Sequence, residues 1–170
     1  MERPAVARRD DRNEALSQEL PVDLEPLADL LGAVLAAEGV PARAEASLQL
    51  VSSDHIAALN AEHLGGDGPT DVLSFPIDGG MPADGTAPVG DGEQWMVGDV
   101  VVCAEVAAAQ APEHAGTLDD ELALLVVHGG LHLCGWDHAD AHGREAMWAR
   151  ERELLVSLSR APSRDPWSGS

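Results

Sequence analysis

The stretch TLDDELALLVVHGGLHLCGWDH, residues 117–138, decides how this chain is read. Thr117 suits a helix N-cap, and Asp119 and Asp120 follow in the first turn, where the helix dipole favours acids. Leu122, Leu124, Leu125, Val126 and Val127 then run almost without interruption. A helix apolar on nearly every side belongs in a core. His128 and His132 stand four residues apart and so share one face. Gly135 follows three residues later and suits the left-handed turn that ends a helix. The chain can then reverse and bring His138 back toward the other two rings.

The resulting pattern is H-x3-H-x5-H with glycine at the bend. Three imidazoles from two directions, with no fourth protein ligand nearby, describe a catalytic type of zinc site with one position left for water. On this reading His128, His132 and His138 hold the metal and act through its bound water. Cys134 lies inside the motif, but the helical phase points it away, so it and Cys103 are expected to be reduced, packed thiols. Metzincin proteases share the spacing but carry a glutamate base directly after the first histidine. Gly129 occupies that position here and cannot take a proton, which ranks peptide hydrolysis below other water chemistry.

HGGLHLCGWDH resembles the signature of the YbeY family of zinc-dependent endoribonucleases. Residues 69–76, PTDVLSFP, are similar to that family's second marker, and Gly98-Asp99-Val100-Val101-Val102 ahead of a helix to a third. The resemblance runs over roughly residues 45–158. It implies a small mixed sheet of four strands flanked by helices, with the histidine helix central. It also implies one Zn2+ per chain and a single-strand-specific endoribonuclease acting in 3′-end maturation of small-subunit ribosomal RNA and its quality control. The partners implied are ribosomal RNA, the small subunit, a ribosomal protein and an assembly GTPase. Many members carry an arginine in the loop before PTDVLSFP. Leu64 stands there in this sequence, and Gly66 and Gly68 stand where basic residues often occur.

Outward from the motif, 170 residues with 45% hydrophobic content suit one domain, its core filled by aliphatic side chains since there is one Phe and no Tyr. The charged N-terminus has no apolar signal core and no stretch suits a membrane span, so the expectation is a cytoplasmic protein. Two cysteines make no disulfide framework. The net charge is −20, and all ten basic residues are arginines. Such charge repels phosphate, so an RNA substrate has to be met by the metal, by a few arginines or by a partner. In the folded part these are Arg43, Arg144, Arg150 and Arg152, the last two reading as solvated helix positions.

Residues 1–20 have little apolar periodicity and read as a flexible extension. Leu24 to Leu35 carries a helical apolar stripe ended by Gly39 and Pro41, and residues 46–51 alternate as a strand. A helix capped by Ser52 or Ser53 dissolves at Gly65. Strands are expected at 71–75 and 96–103, an exposed mobile loop at 78–93, a short helix at 105–110 and a last helix from about 140 to 159. Residues 161–170 read as a disordered tail, leaving 21–160 as the domain. Without a regular βαβ rhythm the fold class is α+β.

At the site, Asp137 is expected either as an acceptor that orients a histidine through its second ring nitrogen or as a turn residue beside Gly135. The PTDVLSFP segment forms either a cleft wall, with Thr70 and Ser74 offering hydroxyls to substrate and Asp71 a carboxylate, or a plain strand edge with a capped turn. Asp99 reads as a group bonded at a strand bend. Two further readings stay beside the nuclease: a ribosome-assembly factor with a structural metal, and a zincin-like metalloprotease.

Overall fold

Helix α5, Leu118–Leu133, is covered on several sides, as its sequence requires. The computed structural model describes residues 2–77 and 95–167. It contains strands β1 (Ala5–Asp10), β2 (Ala44–Val51), β3 (Val72–Pro76) and β4 (Trp95–Cys103). The helices besides α5 are α1 (Glu14–Glu19), α2 (Leu24–Ala37), α3 (Ser53–Leu64), α4 (Ala104–Gln110) and α6 (Ala141–Ser157). The sheet order is β1-β2-β4-β3. β1, β2 and β4 are parallel, and β3 runs antiparallel to β4 with Ser74 opposite Val100. This is the α+β class with a mixed four-stranded sheet expected from the sequence.

α5 packs on β3 and β4 on one side and on α2 on another, with α4 and α6 beside it. Two adjacent glycines make that possible. A Cβ on Gly129 would lie 2.7 Å from Val100 Cγ1 on β4, and one on Gly130 would lie 2.9 Å from Leu31 Cδ1 on α2. The helix is thus pinched between sheet and helix where its histidines emerge. Leu122, Val126, Val127, Leu131 and Leu133 are at most 1% exposed. By the usual area bookkeeping, each such side chain contributes about 2 kcal/mol over its exposed state.

Helix starts follow their caps. Thr117 Oγ1 accepts from Asp120 N at 3.1 Å, Ser52 Oγ from His55 N at 3.2 Å, and Asp140 Oδ1 from Gly143 N at 2.7 Å. Each such cap contributes about 1 kcal/mol.

Two expected boundaries differ. Residues 1–20, read as an extension, contain β1, which adds a parallel edge strand to β2, and α1, capped by Asn13. The β1 residues Ala7–Asp10 are exposed on both faces, so no apolar alternation announces them; pairing with the β2 backbone holds them instead. In the stretch read as a tail, Ser163 Oγ donates to Asp120 Oδ2 at 2.6 Å, Arg164 N donates to Ala115 O at 3.0 Å, and Trp167 packs against the core. The loop expected at 78–93 lies outside the described residues.

Candidate metal centre

The site is built where α5 stops. Cys134 caps the helix, and Gly135 takes φ 94°, the left-handed conformation expected of it. Residues 136–138 return past the last turn, and His138 meets the two helical histidines. Ring centroids lie 4.6 Å apart for His128 and His132, 4.9 Å for His132 and His138, and 5.2 Å for His128 and His138. One ligand nitrogen from each lies within 4.8 Å of the other two, so the trio could hold a metal ion. His128 and His132 are half-buried and His138 is exposed, which leaves the group open on one side.

Hydrogen bonds fix which nitrogens face inward. His132 Nδ1 lies 2.8 Å from the Trp136 carbonyl oxygen, which can only accept, so the proton sits on Nδ1. His128 Nδ1 lies 3.2 Å from Glu151 Oε1 of α6, and it donates likewise. With its pKa held at about 4, His132 presents a bare Nε2, and His128 Nε2 stands 3.1 Å from it. Two nitrogens that close need a proton or a metal cation between them. Nitrogens bound to one tetrahedral zinc at 2.0–2.1 Å are about 3.3 Å apart. The donor set and its spacing thus fit a metal ion.

The surroundings keep His132 unprotonated. Burial, then the neighbouring His128 and His138, push its pKa down from 6.5 to about 4, against the opposing pull of the Trp136 carbonyl and Asp137. Asp137 is exposed and acts on the ring through charge. It is not the acceptor on either bonded ring; Glu151 and the Trp136 carbonyl are. Glu151 was within reach of sequence reasoning, because it falls four residues after Met147 and four before Leu155, inside the buried stripe of α6. It is only 3% exposed. A carboxylate in such a stripe needs a partner.

A third layer holds the turn. Trp136 Nε1 donates to Glu38 Oε1 at 2.5 Å, just past the end of α2, and Arg150 Nη2 donates to Glu38 Oε2 at 2.6 Å. Arg150, read as a solvated position, is thus tied to the site's frame.

Beside the rings lies a cleft of about 500 Å³ bordered by Thr70, Asp71, Ser74 and the three histidines. Ser74 Oγ donates to the Gly129 carbonyl at 3.1 Å and so fastens β3 to α5. Thr70 Oγ1 donates to Asp71 Oδ1 at 3.4 Å, and Asp71 Oδ2 accepts from Gln110 Nε2 at 2.7 Å. Gln110 also bonds the fully buried Glu121, which His114 and the Ala115 amide contact as well. Asp99 accepts from Ser47 across the sheet rather than from backbone. Leu64 stands on the cleft rim, 62% exposed. Cys103 and Cys134 are free; burial pushes both thiols up, Cys134 to about 12, and neither joins the histidine group.

Fold and site together define a class: an α+β protein whose buried central helix ends in an open, three-imidazole metal-type centre. The family model for Endoribonuclease YbeY matches residues 12–159. Endoribonuclease YbeY of Salinispora tropica is 45% identical over 74% of this chain and 82% of its own length. That of Thermobifida fusca is 41% identical over 84% of this chain and 90% of its own length. A solution structure of a Thermotoga maritima protein superposes with a TM-score of 0.54 at 26% identity, covering 97% of this chain and 99% of that one. The chain belongs to the YbeY endoribonuclease family.

Proposed function

We propose that this protein is a zinc-dependent endoribonuclease that cuts single-stranded RNA, with 3′-end maturation and quality control of the small ribosomal subunit as its setting in the cytoplasm. His128, His132 and His138 are the proposed metal ligands. The observation that carries this reading is the convergence of three imidazoles beside an open cleft in a member of an endoribonuclease family.

A zinc ion in this centre supplies Lewis acidity toward a phosphodiester oxygen and a water acidic enough to be hydroxide near neutral pH. The protein's own part is orientation. Glu151 and the Trp136 carbonyl hold Nδ1 protonated and aim Nε2 inward. The Glu121–Gln110–Asp71 chain fixes the Asp71 carboxylate at the cleft rim, where it can take a proton from a water or a ribose hydroxyl. Thr70 is placed to meet the strand from the same wall. Ser74, spent on α5, sets the width of the cleft.

Gly129 speaks against the metalloprotease reading. Val100 lies where a side chain would begin, so no glutamate base fits there without moving the sheet. The reading as an assembly factor with a structural metal draws on Leu64 and on the net charge of −20. Cleavage of single-stranded and ribosomal RNA by zinc-loaded protein, compared with His132→Ala, separates the two. Cleavage by the parent and none by the variant is expected. No cleavage by either, with a melting temperature that collapses on chelation, would favour the assembly factor.

A further inference from the structure

A second cavity, of about 190 Å³, lies behind the Asp71–Val72 edge of the cleft and shares His128 with it. α5 forms its floor with Leu124 and Leu125. Trp148 of α6 and Trp167 of the returning C-terminal segment also line it. Two of its lining residues carry buried polar atoms with no hydrogen-bond partner among the described residues: Glu151 Oε2, an acceptor, and Trp167 Nε1, a donor. Leaving such a group unpaired costs about 1–3 kcal/mol; both atoms are closed to solvent in this structure, so a ligand in the cavity reaches them only if its wall shifts.

The rim is also unusual for so acidic a chain. Arg144 lies 5.5 Å from the Trp148 ring, and Arg152 lies 4.8 Å from the Trp167 ring. Arg144, Trp148 and Arg152 follow at four-residue steps along α6 and so form one face of it. Both arginines are exposed, whereas Arg150 is committed to Glu38 and Glu153. Aromatic rings alternating with exposed cations are what a single nucleic-acid strand requires: stacking for its bases and charge for its phosphates.

We infer that this cavity is a nucleobase subsite: one base of the RNA strand inserts beside the Trp148 and Trp167 indoles, while Arg144 and Arg152 hold the adjoining phosphates. The inference rests on the RNA reading above and adds where the strand runs. With the base seated there, the sugar–phosphate chain passes His128 toward the cleft. The strand is then gripped on α6, and the Leu64 loop need not carry the cation that the resembled family often has there.

The test is equilibrium binding of a 2′-O-methyl oligoribonucleotide, checked by gel to be intact after each titration, to the zinc-loaded full chain, with zinc content and melting temperature followed in each variant. Trp148→Ala should weaken binding about tenfold. Arg144→Gln with Arg152→Gln should weaken it further and flatten the log–log salt dependence by about 1.4, at roughly 0.7 per phosphate lost. An abasic residue at one position of the oligonucleotide should weaken binding to the parent but not to Trp148→Ala. Equal affinity of parent and Trp148→Ala would overturn the subsite. So would an effect of the arginine pair alone, with no abasic position sensed, which would leave a merely electrostatic surface. Because binding is read only on intact oligonucleotide, binding that follows this pattern in a protein that cleaves no RNA would fail the nuclease reading and keep the subsite.

Discussion

Trp136 gives its indole proton to Glu38 across 98 residues of sequence, and the same tryptophan's carbonyl receives the Nδ1 proton of His132. The turn that returns His138 is thereby braced from the end of α2, where Glu38 also takes Arg150 of α6. Glu38→Ala leaves Trp136 Nε1 without its acceptor and Arg150 with Glu153 alone. Zinc affinity, measured by competition with a chromophoric chelator, should fall about tenfold, at the lower end of the effect of removing an outer partner of a ligand. Unchanged affinity would mean that the turn holds itself.

Glu151 and Asp137 make a contrasting pair. Glu151→Gln keeps the shape but weakens the acceptor facing His128 Nδ1, and zinc affinity should fall about 10–100-fold. Asp137→Asn removes only an exposed charge, so zinc affinity should stay within about threefold. The reverse order of effects would reinstate Asp137 as the orienting group.

Gly129→Ala places a methyl 2.7 Å from Val100 Cγ1 and 3.1 Å from Ser74 Oγ. The expected loss is about 1–3 kcal/mol in denaturant unfolding. Gly129→Glu should be worse and should not create peptidase activity. A stable Gly129→Glu protein would show that the sheet yields more readily than its packing indicates.

The metal-free protein should lose stability as pH falls from about 6.5 toward 4. His132 has a folded pKa of about 4, below its unfolded value of 6.5. In that window the unfolded chain binds a proton that the folded one refuses, so acid favours unfolding. Above 6.5 the ring is neutral in both states and contributes no slope. Thermal melts of metal-free parent and His132→Ala across pH 4–7.5 should show the parent losing stability more steeply below pH 6.5, because only the parent carries the titrating ring. Parallel curves would show that the His132 pKa is not depressed in the folded protein.

The histidine helix was legible because its signals are local. A cap at Thr117, an unbroken apolar run and Gly135 at the bend each act within a few residues, and the φ of 94° at Gly135 follows from its position in the pattern. The sheet was legible in its alternating strand β2 and in β4. β1 was not, because an exposed edge strand held by backbone pairing leaves no apolar period in AVARRD. The orienting groups were hidden for another reason. Glu151 reaches His128 across 23 residues and Glu38 reaches Trp136 across 98, and only the packed structure brings them together. The carboxylates buried at Glu121 and Glu151 left a trace as charges inside apolar stripes. The Trp136 carbonyl left none, since any residue carries one.

Three imidazole rings at the end of α5 are arranged to converge on one cation. Elemental analysis of protein stripped with chelator, reloaded with zinc and freed of excess tests it most directly. About one zinc per chain is expected in the parent, and close to none in His128→Ala that remains folded. Zinc retained equally by that variant, or absent from the parent, would contradict the account.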